Sequence, residues 1–275
     1  MLNEKRIKAL IDLIYKERTS DTGGLKAQLA QIIRANPQRV RKIISDNYGQ
    51  TIPFFVVDIL NSLRRAELEI PFKWYFAKHK PDLLLGICLI ARFIRTDIKE
   101  ADISKPLNIL KDQMTGELES VYDIFDKASV FEKVLFSDFS FKLESLSSDI
   151  KLLCLPDIIK RRRATTFAMA VLYVLLAQDC GMIADIADVD GKPVVRMRDS
   201  ATFEPVYIDM IAKGRFVGED DCHIYASSQG FDWDPSSIRP MTNKDVVKRL
   251  LANLIYAMPK DDSETQTLLK NFIKL

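Results

Sequence analysis

Apolar positions recur at helical spacing through the first part of the chain. In EKRIKALIDLIYKE, the residues Ile7, Leu10, Ile11, Ile14 and Tyr15 fall on one face of a helix. The polar break SDTGG ends it. LKAQLAQIIRANP follows and stops at Asn36-Pro37. PQRVRKIISDNYG opens on a proline, tolerated in a first helical turn, and closes on a glycine. IPFFVVDILNSLRRAELE, PDLLLGICLIARFI and KPLNILKDQM continue the pattern. Short helices with short breaks predict a stacked array or an irregular bundle, although no fixed-period repeat is visible. Residues 1–120 are read as this helical region and 121–275 as a second region.

The texture then changes. SVFEKVLFSDFSFKLESL predicts a helix running into an aromatic, less regular segment, and DIKLLCLPDIIKRRR a short helix broken near Pro156. Ala164 to Ala177 is almost unbroken apolar sequence, with Thr165 and Thr166 at its mouth. It predicts a buried helix that ends near Cys180-Gly181, with glycine in the usual C-terminal place. Beyond it, Ile183–Val189, Pro193–Arg198 and Glu204–Met210 predict strands. DVDGKP between the first two is an Asp-Gly hairpin turn. MIAKGRFV leads into a further turn or strand. Helical spacing returns at TNKDVVKRLLANLIYAM, where Thr242 is the N-cap and Asp245 stands three positions on. DSETQTLLKNFIKL predicts a last helix. Helices, a buried helix, a small antiparallel sheet and more helices make an α+β fold with a helical N-terminal region.

Composition narrows the function classes. Apolar residues make up 47% of the 275, enough for a substantial core. With 40 basic and 38 acidic residues, no global field attracts nucleic acid or a membrane surface. The run at 164–177 is shorter than the roughly 20 residues a membrane span needs. MLNEKRIKALIDLIYKE has none of the features of a secretion signal. Cys88, Cys154, Cys180 and Cys222 are scattered without CxxC spacing, and His79 and His223 are the sole imidazoles. No metal site or cofactor is expected, and the thiols read as reduced, in a cytoplasmic protein.

The mouth of a buried helix is a place for chemistry. A helix N-terminus carries free N–H groups and partial positive charge, which activates a cysteine thiol there. A neighbouring sheet then supplies a histidine base and an acidic orienter. The element order here suits that arrangement. LLLGICLIARF, VLFSDFSF, RRRATTFAMAVLYVLLAQDCGM, GKPVVRM, YIDMIAKGR and KRLLANLIYAM follow in sequence between Pro81 and Met258. This series resembles the bacterial Sir-B transglutaminase-like family, proteins with a helical N-terminal region and a degenerate transglutaminase-like core.

The resemblance implies a lost triad. It puts Thr166 where transglutaminases carry cysteine, Lys192 where the hairpin histidine stands, and Asp209 at the retained acid. Ala164 replaces the glycine that precedes the helix. A threonine hydroxyl needs a base, and no histidine occupies the matching place. Thr165 and Thr166 are read as an N-cap pair, and Lys192 as either a hairpin lysine or the ion-pair partner of Asp209, the pair being the specific structural expectation.

Other features have plainer readings. Cys222 and His223 are adjacent, so on an extended strand they point to opposite faces and make no dyad. His79 reads as a cation at a helix C-terminus, and Cys154 and Cys180 as core thiols. Lys160, Arg161, Arg162 and Arg163 are either an anion-binding run or a structural one. Arg249 and Asn253, one helical turn apart, tie the helix from Thr242 to the core. The leading expectation is a non-catalytic protein that binds a protein or peptide partner. The alternative is an active cysteine transamidase or hydrolase, using Cys154, Cys180 or Cys222 beside Asp209. A weaker third is a phosphate or nucleic-acid binder using residues 160–163.

Overall fold

The apolar stripes of the first helices meet one another. The computed structural model describes residues 4–16, 23–35, 37–48, 54–146, 148–189, 192–198, 205–218, 220, 223–224, 227, 240–259 and 262–275. The chain divides into two units, Met1–Leu68 and Glu69–Leu275. In the first, α1 (Glu4–Lys16), α2 (Gly23–Ala35), α3 (Pro37–Tyr48) and α4 (Phe54–Ala66) share one core. Ile7 and Ile11 meet Leu29, Ile33, Val40 and Ile44 there. The Tyr48 hydroxyl donates to Asp12 at 2.7 Å, tying α3 to α1.

In the second unit, α5 (Glu69–Ala77), α6 (Leu83–Ile94) and α7 (Glu100–Leu118) lead to α8 (Ile124–Glu132). α8 runs on into a π turn, Lys133–Asp138. Strand β1 (Lys142–Glu144) pairs in parallel with β2 (Arg163–Thr165), on either side of a 3-10 turn and α9 (Leu155–Arg161). Pro156 lies in the first turn of α9, where its missing N–H costs no helical bond. The apolar helix, α10 (Thr166–Asp179), is buried without a break from Phe167 to Ala177. It lies against a four-stranded antiparallel sheet of β3 (Ile183–Val189), β4 (Lys192–Arg198), β5 (Val206–Asp209) and β6 (Arg215–Val217), in that order. Helices α11 (Asn243–Ala257) and α12 (Ser263–Lys274) follow. The architecture is α+β.

Local signals decided much of this. The Thr242 N-cap and Asp245 form a capping box on α11, each serving the other's backbone N–H. Gly181 takes φ +82° just past α10, and its N–H and that of Met182 return to Gln178 and Ala177. β4 starts at Lys192 and β5 runs Val206–Asp209, one or two residues from the expected ends. The loop residues Asp190 and Gly191 lie outside the described residues, and so does Glu204.

The boundary at Leu68 falls ahead of residue 120, where periodicity alone drew it. The reason is shared packing. Phe72 of α5 stacks on Phe272 of α12 at 4.5 Å, and Phe93 of α6 meets the same ring edge-on at 6.0 Å. Gly86 of α6 faces α11 so closely that an added Cβ would collide with Val247 and Tyr75. Among the described residues, no helix is long and apolar enough to cross a membrane.

Candidate functional site

β4 and β5 bring Lys192 and Asp209 together. Val194 pairs with Asp209, so Lys192, two residues earlier, lies diagonally across on the same face. Its Nζ stands 2.6 Å from Asp209 Oδ2, and the two side chains are 15% and 9% exposed. The second oxygen, Oδ1, accepts the Ile211 N–H at 2.7 Å. Both oxygens of Asp209 are therefore engaged. An ammonium held this way donates hydrogen bonds and has no lone pair with which to take a proton. The Asp209 carbonyl accepts from Gly214 N–H at 2.9 Å, which closes the turn into β6.

The mouth of α10 is built separately. Thr165 is the N-cap, and its Oγ1 accepts the Ala168 N–H at 3.2 Å. Thr166 is the first helical residue and half-buried, so the cap belongs to one threonine of the pair. Arg249 reaches this turn from α11. Its guanidinium lies 4.8 Å from the Phe167 ring centroid and pairs with Asp188 of β3. Burial lowers the pKa of Arg249 from its ordinary value. By strand alternation Asp188 belongs to the sheet face opposite Lys192. Arg249 does tie its helix to the core. Its partner Asp188 was missed, although the signal was visible: Ala184, Ile186 and Asp188 share a face that is otherwise apolar.

The basic run is dispersed. Arg161 pairs with Asp149 at 2.7 Å, and Arg163 Nε with Glu144 Oε1 at 2.7 Å. Arg162 takes φ +55° and sits 5.6 Å from the Phe139 ring centroid. Lys160 is exposed. The three arginines thus point to different partners.

Cys154 is buried, whereas Cys88 and Cys180 are half-buried, so Cys180 is not the core thiol expected. Burial pushes the Cys154 thiol up to about 12, with Asp157 adding to the effect, and the Cys88 thiol up to about 11. Burial also raises Cys180, which lies 3.9 Å from the Thr115 hydroxyl. Cys222 lies outside the described residues, while His79 and His223 are exposed. Among the described residues, no group of three or more His, Cys, Asp or Glu side chains is placed to hold a metal ion. A buried carboxylate that sequence reasoning passed over is Asp157, 8% exposed and 3.3 Å from Arg95.

The family model described as the transglutaminase-like superfamily matches residues 101–252, more than half of the 275. The chain belongs to the transglutaminase-like superfamily. No curated protein and no solved structure matches it. The matched transglutaminase-like region opens within α7 and ends within α11. It therefore contains α10, the whole four-stranded sheet, the Lys192–Asp209 pair and the link from Arg249 to Asp188.

Proposed function

We propose that this chain is a non-catalytic transglutaminase-like protein of the Sir-B kind, cytoplasmic, with a regulatory or protein-binding role. One observation carries the reading: the carboxylate at the acid position is held 2.6 Å from the Lys192 ammonium. Acyl transfer on this plan needs a thiolate, a neutral imidazole and a carboxylate that orients it. Thr166 offers a hydroxyl that does not ionise near neutral pH. Lys192 occupies the base position, and each oxygen of Asp209 already accepts a hydrogen bond, from Lys192 and from the Ile211 N–H. The raised thiol pKa values of Cys88, Cys154 and Cys180 keep those sulfurs protonated at neutral pH, which also supports a silent cleft. The partner is a protein or peptide.

Turnover tests the proposal directly. The full chain is incubated at neutral pH with a glutamine-containing peptide and a labelled primary amine, and separately with a p-nitrophenyl ester. The expected result is no amine incorporation, and an ester rate unchanged by Cys→Ser replacement at each of positions 88, 154, 180 and 222. Incorporation that disappears with one of those sulfurs would establish the cysteine transamidase instead.

A further inference from the structure

β6 is the terminal strand of its sheet, so one backbone edge of β6 has no strand neighbour among the described residues. A free edge is a template for another extended chain. Its flank is apolar and exposed. Phe216 on β6 is 43% exposed, Phe125 at the start of α8 is 49%, and Ile211 in the turn before β6 is 59%. The rings of Phe125 and Phe216 meet edge-on with centroids 4.9 Å apart, so they form one patch. Large apolar groups side by side on a surface mark a place where something docks.

Two exposed basic side chains lie at this edge, and an exposed acid, Asp220, follows three residues past the end of β6. Arg215 lies on β6 and Lys213 in the turn before it. The carboxylate opposite Arg215 in the sheet is Asp209, already committed to Lys192. Neither Arg215 nor Lys213 is ion-paired among the described residues. The acid beside Phe125, Asp123, is the N-cap of α8, and its Oδ1 accepts the Phe125 N–H at 2.8 Å.

We propose that this edge docks an extended peptide segment in which acidic and apolar residues alternate. Its backbone pairs with β6, its carboxylates meet Arg215 and Lys213, and its apolar side chains pack on Phe125 and Phe216. Strand alternation sets the spacing, because successive side chains of the guest point to opposite faces. The inference rests on the protein-binding reading and supplies the chemistry of the partner.

The test is selection of short random peptides displayed on phage against the full chain and against Arg215→Glu. The wild-type chain enriches peptides alternating Asp or Glu with aliphatic residues. A selected peptide, followed by fluorescence anisotropy, binds Arg215→Glu about tenfold or more weakly, as does loss of a close charge pair elsewhere. Phe216→Ala weakens it too. The same peptide with lysine in place of its acids prefers Arg215→Glu. Arg215 is exposed, and an unchanged unfolding midpoint confirms that the variant folds. Absence of enrichment, equal affinity for Arg215→Glu, or concentration-dependent dimers lost in that variant would each overturn the proposal. Turnover in the assay above would sink the silent-cleft reading alone, and failed peptide binding with a silent cleft would sink only this one.

Discussion

Cys154 is fully buried at the start of α9, and its environment makes a pH dependence. Burial is the largest cause of its raised pKa, and the Asp157 charge and hydrogen bond add to it. In the unfolded chain the thiol ionises near 9, while in the folded protein it ionises near about 12. The unfolded state therefore sheds this proton first as pH rises. The stability it contributes is fully present below about pH 9 and declines as pH climbs toward about 12, because the unfolded state there binds fewer protons. Cys88, raised for the same reason, bends the curve in the same direction. The expected measurement is a urea midpoint that is flat near neutral pH and falls above about pH 9. Cys154→Ala should lower the neutral midpoint slightly and flatten part of the alkaline fall. An equally steep fall in that variant would mean that burial does not hold the thiol protonated.

The π turn of Lys133–Asp138 shows what one element does for another. It sets Phe136 against Gly214, the last residue of the turn between β5 and β6. A Cβ on Gly214 would come within 2.7 Å of Phe136 Cε2, and Gly214 also takes φ +79°, where side chains are strained. Gly214→Ala should cost about 1–3 kcal/mol, read as a lower urea midpoint, from overpacking and backbone strain together. Phe136→Ala in the same chain should recover the steric part, so the two effects will be less than additive. Full additivity would show that the ring is not the obstacle. Nothing in the sequence announces this π turn, because packing on Gly214, far along the chain, accompanies it. The helical spacing of KPLNILKDQM marks only part of α7, for a related reason. Pro106 looks like a first-turn residue, yet the helix begins at Glu100 and carries the proline inside. By contrast, α10 and α11 were legible from caps and periodicity. The Lys192–Asp209 juxtaposition came instead from the family resemblance, which set both residues at triad positions, and the register of β4 on β5 agrees with it. The link from Asp188 to Arg249 needed the docking of α11, which local pattern does not encode.

The whole molecule raises the question of where a fold-competent piece begins. Helical periodicity draws a line near residue 120, but the cores divide at Leu68. A chain starting at Glu69 keeps Phe72 and Phe93 on Phe272, and Gly86 against Val247. It also keeps two hydrogen bonds that reach α11: the Tyr75 hydroxyl to the Asn243 carbonyl at 3.2 Å, and Asn243 Nδ2 to the Pro81 carbonyl at 2.9 Å. A chain starting at 121 loses all of these and bares the inner faces of α11 and α12. Stripping a buried aromatic side chain of its packing costs about 3–5 kcal/mol, against a total stability of about 5–15 kcal/mol for a domain. Two such losses around Phe272, about 6–10 kcal/mol together, are comparable with that margin. The 69–275 fragment should therefore show a near-ultraviolet circular dichroism signal and one cooperative urea transition. The 121–275 fragment should show neither, and should expose apolar surface to a fluorescent dye. Cooperative unfolding of the shorter piece would mean that α5 and α6 are accessories to the transglutaminase-like core, and that the sheet, α10 and α11 hold Lys192 against Asp209 without them.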